Sequence, residues 1–403
     1  MAQPHRTRAW ITGAGTISAA GIGLPALRTA LGDGRTCIRE VRVLPLHDVP
    51  GALAAEVLEL PDLPQNWARR AARSDIFALA ALVDALASAG LDPRALDPAR
   101  TGVAVGSSTG GMLEIENWYA DWHAGRSGRA AATRLWSGSV AAPAERVARA
   151  LGALGPRAAP STACSTGAVA LAIALDWIRL GRADVVIAGG SDALCRMTWS
   201  GFHALRSLAP EPCRPFDRNR RGLSLGEGAA LLVIEDPDHA RARGARPLAE
   251  LAGAGISCDA HHPTAPRPDG RGAASAMTGA LEDAGLDPAA IGYVNAHGTG
   301  TPQNDIAEAA ALVAVFGDRQ PPVSSTKGTV GHLLGAAGAL EAVIALDAML
   351  SGTLPSTTGL EDPDPACAIR HVRPGGEKTV CQAVMSNSFG FGGNNCSVVL
   401  KVA

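Results

Sequence analysis

An α/β architecture follows from three features of the sequence. Strand-like and helix-like segments alternate along nearly the whole chain. Several apolar strand-like runs end at paired glycines, as at Gly189-Gly190 and Gly392-Gly393. Hydrophobic residues make up 47% of the 403 residues, enough for a sizeable core. The pattern places strands at 9–12, 102–106, 185–188, 229–235, 292–296, 323–325, 383–386 and 396–402. Helices are expected at 71–89, 165–180, 272–284, 306–316 and 336–350, where apolar residues recur at helical spacing. The Arg/Gly/Pro stretch 236–247 reads as a linker, and 260–271 as an exposed loop. Gly13-Ala14-Gly15 follows the first strand but lacks the G-x-G-x-x-G spacing, since position 18 is Ser. It reads as a tight strand-to-loop turn, not a dinucleotide site.

Composition excludes several functions. Net charge is −2, with 36 basic against 38 acidic residues, so there is no field for nucleic acid and no polybasic membrane signal. Aromatics are 4%, too few for a base-stacking platform. No apolar stretch of about 18 residues, the length a membrane helix needs, is free of charge. The N-terminus shows no signal-peptide core. The cysteines are Cys37, Cys164, Cys195, Cys213, Cys258, Cys367, Cys381 and Cys396, with no C-x-x-C pair, which argues against a zinc ribbon or redox dithiol. All but Cys164 read as small core hydrophobes of a cytoplasmic protein.

Cys164 differs because of its setting. It lies in Pro160-Ser161-Thr162-Ala163-Cys164-Ser165-Thr166-Gly167, ahead of the apolar run 169–175. A thiol in the first turn of a buried helix feels the positive end of the helix dipole, which favours thiolate. Small neighbours leave the sulfur open to a substrate. A lone cysteine is more often plain core, but three downstream segments change that balance. Tyr293-Val294-Asn295-Ala296-His297-Gly298-Thr299-Gly300-Thr301 delivers a histidine from a strand into a Gly/Thr loop. In Ser324-Ser325-Thr326-Lys327, followed by Gly331-His332, one of only three lysines precedes a second histidine and a helix that carries Glu341. Asn387-Ser388-Phe389-Gly390-Phe391-Gly392-Gly393-Asn394-Asn395 forms a glycine-rich turn with two phenylalanines. Each segment alone is weak; their conjunction points to nucleophilic chemistry.

These motifs together resemble an elongating β-ketoacyl-acyl carrier protein synthase of the thiolase superfamily. The resemblance runs from Trp10 to Asn395, with Gly189-Gly190-Ser191-Asp192-Ala193, Arg214-Pro215-Phe216-Asp217 and Gly226-Glu227-Gly228-Ala229 as supporting pieces. It implies a duplicated five-layered αβαβα fold, with halves at about 1–246 and 247–403. It implies no metal and no resident cofactor, since acyl groups arrive on the phosphopantetheine arm of an acyl carrier protein. Cys164 would accept the acyl chain, and neutral His297 and His332 would steady the enolate left when a malonyl thioester loses CO₂. Lys327 and Glu341 would form a supporting ion pair. The backbone N–H groups of Cys164 and Phe391 would make an oxyanion hole, with Phe391 as a gate. Thr299 and Thr301 would bind the phosphopantetheine arm, and Leu223 and Phe389 would line the site. Arg69, Arg70, Arg73 and Arg206 resemble the docking patch for the acidic carrier protein. Asp305 and Glu308 match further polar positions, taken as structural.

Departures from the fatty-acid enzymes matter. Arg221-Gly222-Leu223-Ser224 stands where an Asp-Gly-Phe run is usual, Gly328 follows Lys327, and Thr109 stands where a bulky aliphatic often lines the acyl pocket. These differences resemble secondary-metabolite members that build polyene chains beside an inactive chain-length factor, so a heterodimer stands beside a homodimer. A housekeeping fatty-acid synthase is the alternative. A thiolase would carry a second catalytic cysteine where Phe391-Gly392-Gly393 stands, and an initiating synthase would have Asn where His332 stands. A non-catalytic chain-length factor would lack Cys164.

Overall fold

Two sheets of identical topology form the frame, seen in the computed structural model, which describes residues 8–44, 46, 51–126 and 129–403. The first contains β1 (Trp10–Ser18), β2 (Thr101–Gly106), β3 (Arg157–Ala158), β4 (Val185–Asp192) and β5 (Gly228–Glu235). The second contains β6 (Ala249–Cys258), β7 (Ile291–Asn295), β8 (Val323–Ser324), β9 (Ala383–Gly390) and β10 (Asn394–Lys401). Their orders are β1-β5-β4-β2-β3 and β6-β10-β9-β7-β8. In each, the first two neighbouring pairs are antiparallel and the last two parallel. Even the register shift recurs, between Ile11 and Gly13 in β1 and between Leu251 and Gly253 in β6. The sheets meet edge to edge through Trp10↔Glu250 and Ile11↔Ala249.

Helices complete five layers. α1 (Arg73–Ala89) and α2 (Ala142–Leu151) cover the outer face of the first sheet. α4 (Arg271–Ala284) and α5 (Pro302–Phe316) do the same for the second. Between the sheets lie α3 (Thr166–Arg179) and α6 (Ala337–Ser351). Strand alternation sorts the cores: Leu232 and Ile234 of β5 face the central helices, while Leu231 and Val233 face the outer layer. Both faces of each sheet are covered, so the strands read as continuous apolar runs. The apolar stretch Leu334–Ser351 has the length and hydropathy of a membrane span, but 89% of it is buried in this central layer.

The expected α/β, duplicated αβαβα architecture is therefore observed, with local corrections. Gly13 and Gly15 do not make a strand-to-loop turn; they lie inside β1. A Cβ on them would meet Ala85 O of α1 at 2.5 Å and Ala81 O at 2.2 Å. Gly253 and Gly255 of β6 repeat this against Ala280 O at 2.5 Å and Ala276 O at 2.1 Å of α4. Missing side chains let strand and helix backbones approach, which sequence pattern cannot distinguish from a turn. The stretch 236–247 is not an open linker, because Asp236 caps a short helix, Pro237–Ala242. The strand β6 and the helices Gly23–Gly32, α2, Met112–His123 and Arg196–Ala204 were not legible in the pattern. Cys258 is exposed at the end of β6, unlike the other cysteines expected in the core.

Candidate active site

The two central helices begin side by side. A Cβ on Gly167 of α3 would sit 2.7 Å from Ala339 N, and one on Gly338 of α6 would sit 2.9 Å from Ala168 N. Each half thus brings the residues before its central helix to one point. In the first half a hydroxyl-strapped turn leads into α3. Thr166 Oγ1 donates to Ala163 O at 2.7 Å and accepts from Thr162 N at 2.8 Å, while Ser165 Oγ donates to Thr162 O at 2.9 Å. This holds Ala163 at φ +53°, a left-handed conformation unusual for alanine, and presents Cys164 next to it.

In the second half the chain leaving β7 carries His297, and the chain between β8 and α6 carries Lys327 and His332. Cys164, His297 and His332 each place one N or S atom within 4.8 Å of the others, and all three residues are buried. The two imidazoles meet edge to face with centroids 5.3 Å apart. Lys327 and Glu341 are buried and ion-paired. Lys327 Nζ also reaches His297 O at 2.5 Å and His297 Nδ1 at 3.3 Å. Glu308 accepts from His297 N at 2.8 Å and Gly298 N at 2.7 Å, and Asp305 accepts from Gly300 N at 3.2 Å, so both brace the loop that carries His297.

These contacts define the tautomers. Lys327 Nζ can only donate, so His297 Nδ1 accepts and its proton lies on Nε2. Leu334 N donates to His332 Nδ1 at 3.1 Å, which puts that proton on Nε2 as well. His332 Nε2 is buried and has no hydrogen-bond partner among the described residues. Burial and the Lys327 ammonium hold both imidazoles well below the usual histidine range, so each is a neutral donor at neutral pH. Cysteine and histidines are metal-ligand types, but a metal needs the Nε2 lone pair, and both Nε2 atoms carry hydrogen here. The triad is built to donate, not to ligate.

The resting sulfur differs from the expected thiolate. Burial pushes the Cys164 thiol up to about 11, against the pull of Lys327 and the backbone N–H groups of Phe391 and Cys164. Desolvation outweighs the favourable end of α3. Burial likewise raises Glu341 to about 7, against the pull of Lys327.

Two hollows meet at Cys164. One, of about 600 Å³, is lined by His297, His332, Thr299, Thr301, Leu223 and Phe389 among others. The other, of about 720 Å³, is largely apolar and includes Thr109, Met197, Leu205 and Leu334 in its wall. Cys164, Phe202 and Phe391 border both, and the two phenylalanine rings lie 5.3 Å apart. Thr109 is short but not free: its hydroxyl donates to Asp192 Oδ1 at 2.9 Å. Phe202, Met197 and Leu334 escaped the sequence reading because they are ordinary apolar residues until the fold brings them to the sulfur.

The four arginines do not form one class. Arg69, Arg70 and Arg206 are exposed. Arg73 is not available for docking: its side chain is 11% exposed and its guanidinium binds Glu227 through Nε at 2.9 Å and Nη2 at 2.6 Å. It sits in the first turn of α1, where it points inward to a buried carboxylate.

Comparison with known proteins gives a consistent picture. The N-terminal domain model of the β-ketoacyl synthases matches residues 7–240, and the C-terminal domain model matches 248–361. The chain is 38% identical to Nodulation protein E of Rhizobium meliloti (strain 1021), over 98% of this chain and 99% of that protein. It is 34% identical to 3-oxoacyl-[acyl-carrier-protein] synthase 2 of Synechocystis, over 100% and 99%. Among solved structures it is similar to the ishigamide ketosynthase/chain length factor, at TM-score 0.91 and 34% identity over 99% of this chain and 100% of that one. It is also similar to a ketosynthase in complex with its chain length factor from Xenorhabdus doucetiae, at TM-score 0.86 and 33% identity over 100% of both chains.

Proposed function

Since this chain belongs to the β-ketoacyl synthase family and is a condensing, acyl-transferring enzyme of the thiolase superfamily, we propose that Cys164, His297 and His332 carry its reaction and that it extends polyene or related polyketide chains beside a chain-length-factor partner. One observation carries the assignment of roles: the Cys164 thiol and two neutral imidazoles, each with its proton on Nε2, converge where the two hollows meet, one N or S atom of each lying within 4.8 Å of the others.

The Cys164 thiol attacks an acyl thioester held on a carrier protein. The S–C bond to Cys164 forms, the C–S bond to phosphopantetheine breaks, and the proton leaves with the pantetheine thiol. A malonyl thioester then enters the first hollow, its arm held by Thr299 and Thr301. The C–C bond to the carboxylate breaks, CO₂ departs, and the electron pair passes into the thioester as an enolate. His297 and His332 donate to that oxygen as charge develops. Being neutral, they stabilise the charge without protonating the carbon nucleophile. The enolate carbon attacks the acyl-Cys164 carbonyl, whose oxygen is held by the N–H groups of Cys164 and Phe391. The carbonyl re-forms, the C–S bond to Cys164 breaks, and the sulfur leaves as thiolate and takes a proton from solvent to restore the thiol. Lys327 and Glu341 orient His297 from behind. Every step uses this chain's residues and carrier-borne substrates.

The polyene reading rests on the apolar hollow and on the relatives solved with chain length factors. A rigid conjugated chain cannot coil around an obstruction, so a short Thr109 suits it. Alanine at His297 or His332 should lower malonyl decarboxylation by roughly 100-fold or more, while Cys164 still becomes acylated. Cys164→Gln should keep decarboxylating and Cys164→Ala should not load. Thr109→Phe should shorten products made with purified carrier proteins, reducing enzymes and partner subunit. Wild-type decarboxylation in either histidine variant would remove the assigned roles; an unchanged product profile in folded Thr109→Phe would remove the pocket assignment.

A further inference from the structure

Asp192, at the end of β4, is fully buried and forms no ion pair among the described residues. Every group around it donates. Oδ1 receives Ser107 Oγ at 2.5 Å, Thr109 N at 2.9 Å and Thr109 Oγ1 at 2.9 Å. Ser108 N reaches both oxygens, at 3.0 and 2.9 Å, and Gly335 N reaches Oδ2 at 2.6 Å. Backbone N–H groups cannot accept, so both oxygens must.

The donors come from two walls. Ser108 and Thr109 line the apolar hollow, and Ser108 Oγ also donates to Ala163 O, next to Cys164, at 3.3 Å. Gly335 follows Leu334, which lines the same hollow and whose N–H fixes His332. Leu334 sits at φ +53°, a conformation that a leucine keeps only when its surroundings impose it. The Asp192–Gly335 hydrogen bond is one such restraint. A Cβ on Gly335 would lie 2.6 Å from Asp192 Oδ2 and 3.0 Å from Ser108 N, so that backbone is pressed against the carboxylate.

We propose that Asp192 is a positioning residue for the condensation: by gripping Gly335 it keeps Leu334 N–H on His332 Nδ1, and by gripping Ser108 and Thr109 it ties that geometry to the wall of the acyl hollow. It acts through His332 and touches no substrate. Filling of the hollow, which Thr109 and Leu334 both line, is thereby linked to the readiness of His332 to support decarboxylation. The inference rests on the role given to His332 above.

Asp192→Asn tests it. The amide keeps the shape but must turn an NH₂ toward N–H donors on one side. In the Cys164→Gln background, which needs no acyl loading, Asp192→Asn should lower malonyl decarboxylation roughly 10- to 100-fold, the range for partners that orient working imidazoles. With Cys164 present, acyl loading should stay within about twofold. In protein labelled with ¹⁵N-histidine, His332 should lose its single Nε2–H tautomer. Ser107→Ala removes a donor from Oδ1 and leaves Gly335 in place. It should match Asp192→Asn in lost thermal stability but retain decarboxylation and the His332 tautomer.

Equal loss of decarboxylation in both variants would mark Asp192 as structural only and overturn the proposal. So would wild-type decarboxylation in folded Asp192→Asn while His332→Ala is inactive. If His332→Ala itself decarboxylates at the wild-type rate, the role of His332 falls instead, and Asp192 with it.

Discussion

Cys164 shows how burial sets the chemistry of one residue. Its thiol is pushed up to about 11 although Lys327 and two backbone N–H groups favour thiolate. Below that value the thiolate fraction grows tenfold per pH unit. Acyl loading should therefore rise about tenfold per unit between pH 7 and 9, until another step limits, in single-turnover transfer to Cys164. A flat profile would mean that the substrate complex, unlike the resting site, holds the sulfur ionised. The histidines make stability depend on pH as well. Folding keeps both neutral, so below the ordinary histidine value the unfolded chain binds more protons, and stability falls as pH falls from about 7 toward 5. Glu308 and Glu341, both raised to about 7, favour folding as pH falls, so the histidine contribution is read from variants rather than from the whole protein.

At the scale of elements, close backbone approach is the recurring device. β1 touches α1 through Gly13 and Gly15, β6 touches α4 through Gly253 and Gly255, and α3 crosses α6 at Gly167 and Gly338. None of these relieves a turn; each removes a side chain where two backbones meet. Gly255→Ala would set a Cβ 2.1 Å from Ala276 O, so β6 and α4 must part. The expected cost is about 1–3 kcal/mol or more, read by chemical denaturation. Gly279→Ala serves as the comparison, because its Cβ finds nothing closer than 3.6 Å. Equal effects at the two sites would show that helix and sheet slide apart freely. The same logic explains what the sequence hid: a glycine in β1 read as a turn because only the partner helix reveals why a side chain is excluded.

At the scale of the whole molecule, the surface charges are tested against each other. Acyl carrier proteins are acidic, and opposite charge raises encounter rates. Charge reversal at exposed Arg69 and Arg206 should slow transfer from a carrier protein and spare transfer from a small acyl thioester. The difference should shrink in salt, as Debye screening removes it. Arg73→Glu should behave differently. It leaves Glu227 buried beside a like charge, with a stability loss of roughly 3–5 kcal/mol and equal loss toward both substrates. Equal losses in all three variants would remove the docking role from Arg69 and Arg206 as well.

Much was determined by the sequence alone. The alternation of strand and helix predicted the α/β class, because the two periodicities are local and each segment carries its own. Cys164, His297, Lys327, His332 and Phe391 stood out because small, glycine-rich surroundings around reactive side chains are a local signal too. The tertiary structure decided what depends on partners distant in sequence. It set the Nε2–H tautomers, through Lys327 and Leu334. It moved Arg73 from the surface to Glu227, 154 residues away, and made Asp192 a junction rather than the end of a strand. Hydrogen-bond partners, burial and ionisation are properties of a neighbourhood, and a neighbourhood exists only once the two halves have folded onto each other.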